Sequence, residues 1–155
     1  MRWIIITSFI VALLLAVYPL QVDWRWWRPE FIALLVIYWS MYTPHNFGIA
    51  AAWGVGLVQD LVEICPLGQN SLGLIVVAYI CHLSYQRIRN YALWQQAMWV
   101  FVLVGIYQLF GNWVGGLVDE GVESPIFLLS AIVSGFMWPL IVVLLQRIRI
   151  YLHLL

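Results

Sequence analysis

Six apolar runs, each closed by a proline or a short polar turn, constrain this chain more than any single motif in it. A helix of about 20 apolar residues crosses a hydrocarbon layer roughly 30 Å thick. Inside that layer every backbone N–H and C=O must be satisfied internally, and runs of this length do so as helices. They fall at about 3–20, 29–43, 46–64, 71–86, 92–118 and 126–146. The expectation is an all-α membrane protein with six transmembrane helices, using residues 1–155 as one integral membrane domain. Charge agrees, since only 9% of residues are charged where a soluble domain carries about 25%.

The turns are too short to hold a soluble catalytic domain. Seven arginines balance seven acids, so net charge selects no partner, and no basic tract invites nucleic acid. The arginines do orient the chain. With the N-terminus inside, Arg2, Arg87, Arg89, Arg147 and Arg149 are cytoplasmic, and only Arg25 and Arg28 lie outside. The positive-inside rule then favours N-in, C-in. The stretch VDWRWWRPE, residues 22–30, suits the interface, with indoles at headgroup level and guanidiniums reaching water or phosphate. The second run gives only about 22 Å at 1.5 Å per residue, so either it starts earlier, among these tryptophans, or the bilayer thins around it.

The third run, from Pro44 to Pro66, carries the most information. As a helix it places Gly48, Ala52, Gly56 and Asp60 on one stripe, with Gln59 and Glu63 beside it. Small residues at that spacing let another helix approach closely, which drives association in lipid. Ala12 and Ala16 repeat the spacing in the first helix, and Ser130 and Ser134 sit four apart in the sixth. An acid inside hydrocarbon costs of order 3 kcal/mol at the centre. Two readings of Asp60 stay open: it sits at the headgroups with Glu63, or it points into a cavity or partner interface. Gln108 and Asn112 are one turn apart in the fifth run, and with Gln59, Asp60 and Glu63 they are candidates for a pocket between the third and fifth helices. Spacing does not decide whether they meet. Asn46 and Ser71 are the candidate N-caps of the third and fourth helices, and Pro66, Leu67 and Gly68 form a tight turn between them.

Chemistry is sparse. Cys65, Cys81, His45 and His82 have no metal-site spacing, and Ser71, Ser84, Ser130 and Ser134 have no clear histidine partner by pattern. No catalytic residue, metal or cofactor is expected.

Several segments carry a resemblance to a known family: RPEFIALLVIYW at 28–39, GLVQDLVEICPLGQNSLG at 56–73, RIRNYALWQQA at 87–97 and GFMWPLIVVLLQRIR at 135–149. LWQQA and the set Asp60, Pro66, Leu67, Gly68, Leu72 and Gly73 are the most specific. Together they resemble the rod shape-determining protein MreD family, enteric type, over nearly the whole length. The resemblance implies a non-enzymatic, multi-pass subunit of the bacterial inner (cytoplasmic) membrane, within the elongasome. Its implied partner is the bitopic protein MreC, with RodA, a class B penicillin-binding transpeptidase and MreB in a larger complex that directs lateral peptidoglycan synthesis and rod shape. It also implies a fold similar to the substrate-binding (S) subunits of energy-coupling-factor transporters. The alternative is a small-molecule-binding membrane subunit with a transport-like pocket around Asp60.

These readings set expectations for substitution. Gly56→Leu should destroy complex formation, and Ala33→Leu, on an ordinary apolar helix, should be tolerated. In the alternative, Asp60→Asn should abolish ligand binding and leave the fold intact.

Overall fold

A computed structural model describes residues 2–19, 27–118 and 127–153. Most of the tryptophan–arginine stretch and the whole acidic segment DEGVES lie outside the described residues. The chain forms six helices: α1 (Arg2–Val17), α2 (Phe31–Tyr42), α3 (Ile49–Val62), α4 (Gln69–Ile88), α5 (Leu93–Leu117) and α6 (Phe127–His153). Three of them are long and apolar enough to cross a membrane: α4, α5 and Leu128–Leu152 of α6. The others are shorter, with 16, 12 and 14 residues, or about 24, 18 and 21 Å.

The shortest helix is the centre. FIALLVIYWSMY is apolar on every side, and a helix of that kind is buried rather than amphipathic. All ten residues from Ile32 to Met41 are buried, against α1, α4, α5 and α6. This removes the length problem. A sheathed helix need not reach the headgroups, because irregular backbone at membrane depth is tolerated where protein covers it. It also corrects the reading of Ala33, which is fully buried, so leucine there would overpack the core.

The backbone before α2 then needs partners, and α6 supplies them. Ser134 Oγ accepts the Glu30 N–H at 2.9 Å, and Ser130 Oγ donates to the Arg28 carbonyl at 2.5 Å. Arg28 in turn donates from Nη2 to the Leu15 carbonyl at 2.6 Å, closing the C-terminus of α1. The serine stripe is thus a backbone clamp. Ser134→Ala removes the acceptor of a partly buried N–H and is expected to cost about 0.5–1.5 kcal/mol. A melting temperature in mild detergent equal to that of the unaltered protein would contradict this role.

At the opposite end, Trp39 Nε1 donates to Ser8 Oγ at 3.1 Å, and Phe47 stacks on Phe9 with centroids 5.5 Å apart. Gln96 ties three elements together. Its Nε2 donates to the carbonyls of Arg89 and Tyr91, at 3.3 and 3.1 Å, and its Oε1 accepts from Trp138 Nε1 at 3.2 Å. The LWQQA segment therefore holds the α4–α5 turn and α6 in register.

Neither candidate N-cap is used. Gly48 precedes α3 and Gly68 precedes α4. Gly68 has φ +102°, in the left-handed region where glycine is favoured.

Candidate functional site

The small-residue stripe turns inward. A Cβ built on Gly56 would overlap Ser71 Cα and come within 2.7 Å of Ser71 Cβ, so α3 and α4 touch backbone to backbone here. Ala52 is fully buried, whereas Gly48 has open space around it. Gly73 continues the close packing on the other side of α4, where a Cβ would lie 2.7 Å from Tyr107 Cδ2. In the first helix Ala12 is buried and Ala16 is partly exposed.

That approach brings the start of α4 against the last turns of α3, and Asp60 receives it. Asp60 is 0% exposed. Its Oδ2 accepts from the Gly68 N–H at 2.9 Å and from Ser71 Oγ at 3.2 Å, and its Oδ1 accepts from the Asn70 N–H at 2.9 Å. A helix start leaves its first N–H groups without intrahelical partners, and a carboxyl group is a strong acceptor for them. Here the cap comes from the neighbouring helix. The Asp60 carbonyl also accepts from the Cys65 N–H at 3.0 Å, closing α3 in the manner of a Schellman turn. That turn puts Ile64 at φ +55°, a conformation a β-branched residue adopts only under strain. The Asp60 carboxyl group is therefore used within the fold, by the start of α4. It fastens α3 to α4. Of the turn residues, Pro66 accepts the Gln69 N–H at 3.1 Å through its carbonyl, and Leu67 is exposed.

Beside it runs a closed ring of side chains. Gln59 Nε2 donates to Glu63 Oε1 and to the Tyr107 hydroxyl, both at 3.1 Å. The Tyr107 hydroxyl donates to Asn70 Oδ1 at 2.8 Å, and Asn70 Nδ2 donates to Glu63 Oε2 at 3.1 Å. Gln108 Nε2 reaches Glu30 Oε1 at 3.4 Å, at the long end for a hydrogen bond.

Gln59, Glu63, Gln108 and Asn112 line one cavity of about 500 Å³, together with Ala16, Arg28, Glu30, Gln69, Asn70, Tyr107 and Ser130. These residues come from the C-terminal parts of α1, α3 and α5 and from the N-terminal parts of α2, α4 and α6, with the segment leading into α2. The cavity thus lies at one end of the bundle, and Arg2, Arg87, Arg89, Arg147 and Arg149 belong to the other ends of α1, α4 and α6. Four of the five polar candidates meet there, and Asp60 stands behind the wall. Sequence reasoning passed over Tyr107, Asn70, Gln69 and Glu30. Asn70 was visible inside the PLGQNSLG segment, but nothing local marks a tyrosine as the bridge between two helices.

Among the described residues no three of His, Cys, Asp and Glu are grouped to hold a metal ion. His82 Nδ1 lies 2.8 Å from the Ala78 carbonyl of its own helix, and Cys81 is buried in the core.

Six helices, one of them the buried centre and three of them long and apolar enough to cross a membrane, define a helical membrane protein whose interior polar groups mostly hold helix ends together. A family model described as rod shape-determining protein MreD matches residues 1–148. Rod shape-determining protein MreD of Haemophilus influenzae (strain ATCC 51907 / DSM 11121 / KW20 / Rd) is 30% identical over 154 residues, covering 96% of this chain and 93% of that protein. No solved structure matches. The chain belongs to the MreD family, whose members are membrane-associated proteins that determine rod cell shape.

Proposed function

We propose that the chain is a non-enzymatic scaffold of the bacterial inner membrane that binds the single-span protein MreC. In this reading RodA, a class B penicillin-binding transpeptidase and MreB complete the elongasome, and the subunit helps direct lateral peptidoglycan synthesis. All six helices lie in the membrane, N-in and C-in, with the arginine-bearing ends cytoplasmic. A likeness to the S subunits of energy-coupling-factor transporters belongs to the same proposal.

With the small-residue stripe of α3 used inside the fold, the partner helix needs another surface. The observation that carries the reading is an apolar groove of about 930 Å³ between α5 and α6, walled by Trp94, Met98, Phe101, Ile132 and Phe136. At its floor Gly135 allows close approach, since a Cβ there would stand 3.4 Å from the Ala97 carbonyl and from Phe101 Cβ. A partner helix in lipid gains by close packing rather than by leaving water, and aromatic and methionine side chains offer large, adaptable contact surfaces.

A photo-crosslinking residue at Phe136, which is 82% exposed, should capture MreC in the protein's own membrane, and one at Leu14 on α1, 67% exposed, should not. Capture at 14 alone would move the interface to α1, and no MreC at either position would sink the scaffold reading. The alternative, a small-molecule-binding subunit, draws on the polar cavity.

A further inference from the structure

The helices differ in height, and two of the short ones stand together. α1 packs on α3, and both turn apolar side chains outward: Ile6, Ile10 and Leu14 on α1, and Trp53, Val58 and Leu61 on α3. α3 has 14 residues, about 21 Å. His45 and Asn46, both exposed, stand just before it, and the exposed Glu63 ends it. α1 gives nearly the same figure from other residues. Arg2 begins it, and near its far end the Arg28 guanidinium is held on the Leu15 carbonyl. From Arg2 to Leu15 is about 20 Å. Arg28 and Glu63 line the same cavity, so these two polar limits share one end of the bundle.

The α3–α4 turn marks where hydrocarbon stops on this flank. Ile64, at φ +55°, is 90% exposed, and Leu67 is exposed with it. Apolar side chains on a turn suit acyl chains rather than water. The turn's own demand for water is low, because Asp60 accepts the N–H groups of Cys65, Gly68 and Asn70.

α5 is much taller. It has 25 residues, about 37 Å, and no charged side chain. Its exposed side chains stay apolar from Leu93 and Trp94 through Met98 and Leu109 to Trp113 and Leu117. An ordinary hydrocarbon layer is about 30 Å thick. Tilt takes up the surplus of α5, but tilt only shortens the span of a helix. α1 and α3 therefore have no way to reach across such a layer, and the bilayer must come to them.

We propose that the α1–α3 flank thins the bilayer and gathers phospholipids with short acyl chains. Lipid is the occupant because the deficit is one of height, which short chains answer directly. The inference rests on the placement of all six helices in the membrane, proposed above, and adds a lipid preference to it.

The test uses the purified full chain in vesicles of equal dimyristoleoyl- and dieicosenoyl-phosphatidylcholine. A photoreactive residue is placed at Val58, midway along α3, or at Phe136, midway along α6, and the crosslinked products are read by mass spectrometry. The ratio of short to long lipid at Phe136 is the reference, since both lipids carry the same headgroup. That ratio is expected to be about threefold or more higher at Val58, because the cost of mismatch grows with each Å of it. Equal ratios at the two positions overturn the proposal while leaving α3 in the membrane. Lipid captured at Phe136 and none at Val58 overturns the membrane placement of α3 itself. Capture of a second copy of the chain at Val58 in place of lipid also overturns the proposal, since association would then cover the short flank.

Discussion

Asp60→Ala is expected to cause the largest loss of stability of any single substitution in the α3–α4 turn. The carboxyl group accepts two backbone N–H groups and one hydroxyl, all within 3.2 Å, in a position with no solvent exposure. Alanine leaves those donors buried without an acceptor, and each such loss costs about 1–3 kcal/mol. The sum is about 3 kcal/mol or more, a fall of roughly 6–12 °C in melting temperature for a chain of this size. Asparagine keeps one oxygen but points an NH₂ at a backbone donor, so Asp60→Asn should fall between. That corrects the expectation that Asp60→Asn leaves the fold intact. Melting in mild detergent decides it, and a change under about 2 °C for Asp60→Ala would remove Asp60 as the fastener of this turn.

A matched pair of glycine substitutions has the second largest expected effect. Gly56→Leu drives a side chain into the backbone of Ser71, which cannot rotate away, and should cost at least the upper end of the usual 1–3 kcal/mol for overpacking. Gly48→Leu meets open space, at φ −92° that any residue adopts. It should cost under about 1 kcal/mol, through a poorer N-cap. The readout is the yield of monodisperse protein and its melting temperature. Equal behaviour of the two variants would mean that α3 and α4 do not touch at Gly56. Loss of partner binding in Gly56→Leu would report unfolding, since that face is already used by α4.

The local signals in the chain gave the right kind of element and often the wrong assignment of its partner. The runs at 71–86, 92–118 and 126–146 correspond to α4, α5 and α6, because apolar length and turn residues act locally. The second run reads as a short span in sequence and is the sheathed centre in the fold. Nothing in FIALLVIYW distinguishes a wall of lipid from a wall of other helices. Ser130 and Ser134 read as small residues, yet their hydroxyls answer a backbone segment about a hundred residues earlier. Ser71 reads as a cap and instead donates to the group that performs the capping.

What the sequence by itself determined is the membrane class, the helical periods, the asymmetry of arginine and the presence of a close-packing stripe ending in an acid. Each follows from residues within a few turns of one another. What only the tertiary structure decided is which surface meets that stripe, where Asp60 spends its hydrogen bonds, and that Gln59, Glu63, Gln108 and Asn112 share one cavity. Close packing in lipid depends on shape and hydrogen bonding between distant segments, and a glycine stripe suits a helix of the same chain as well as one of another.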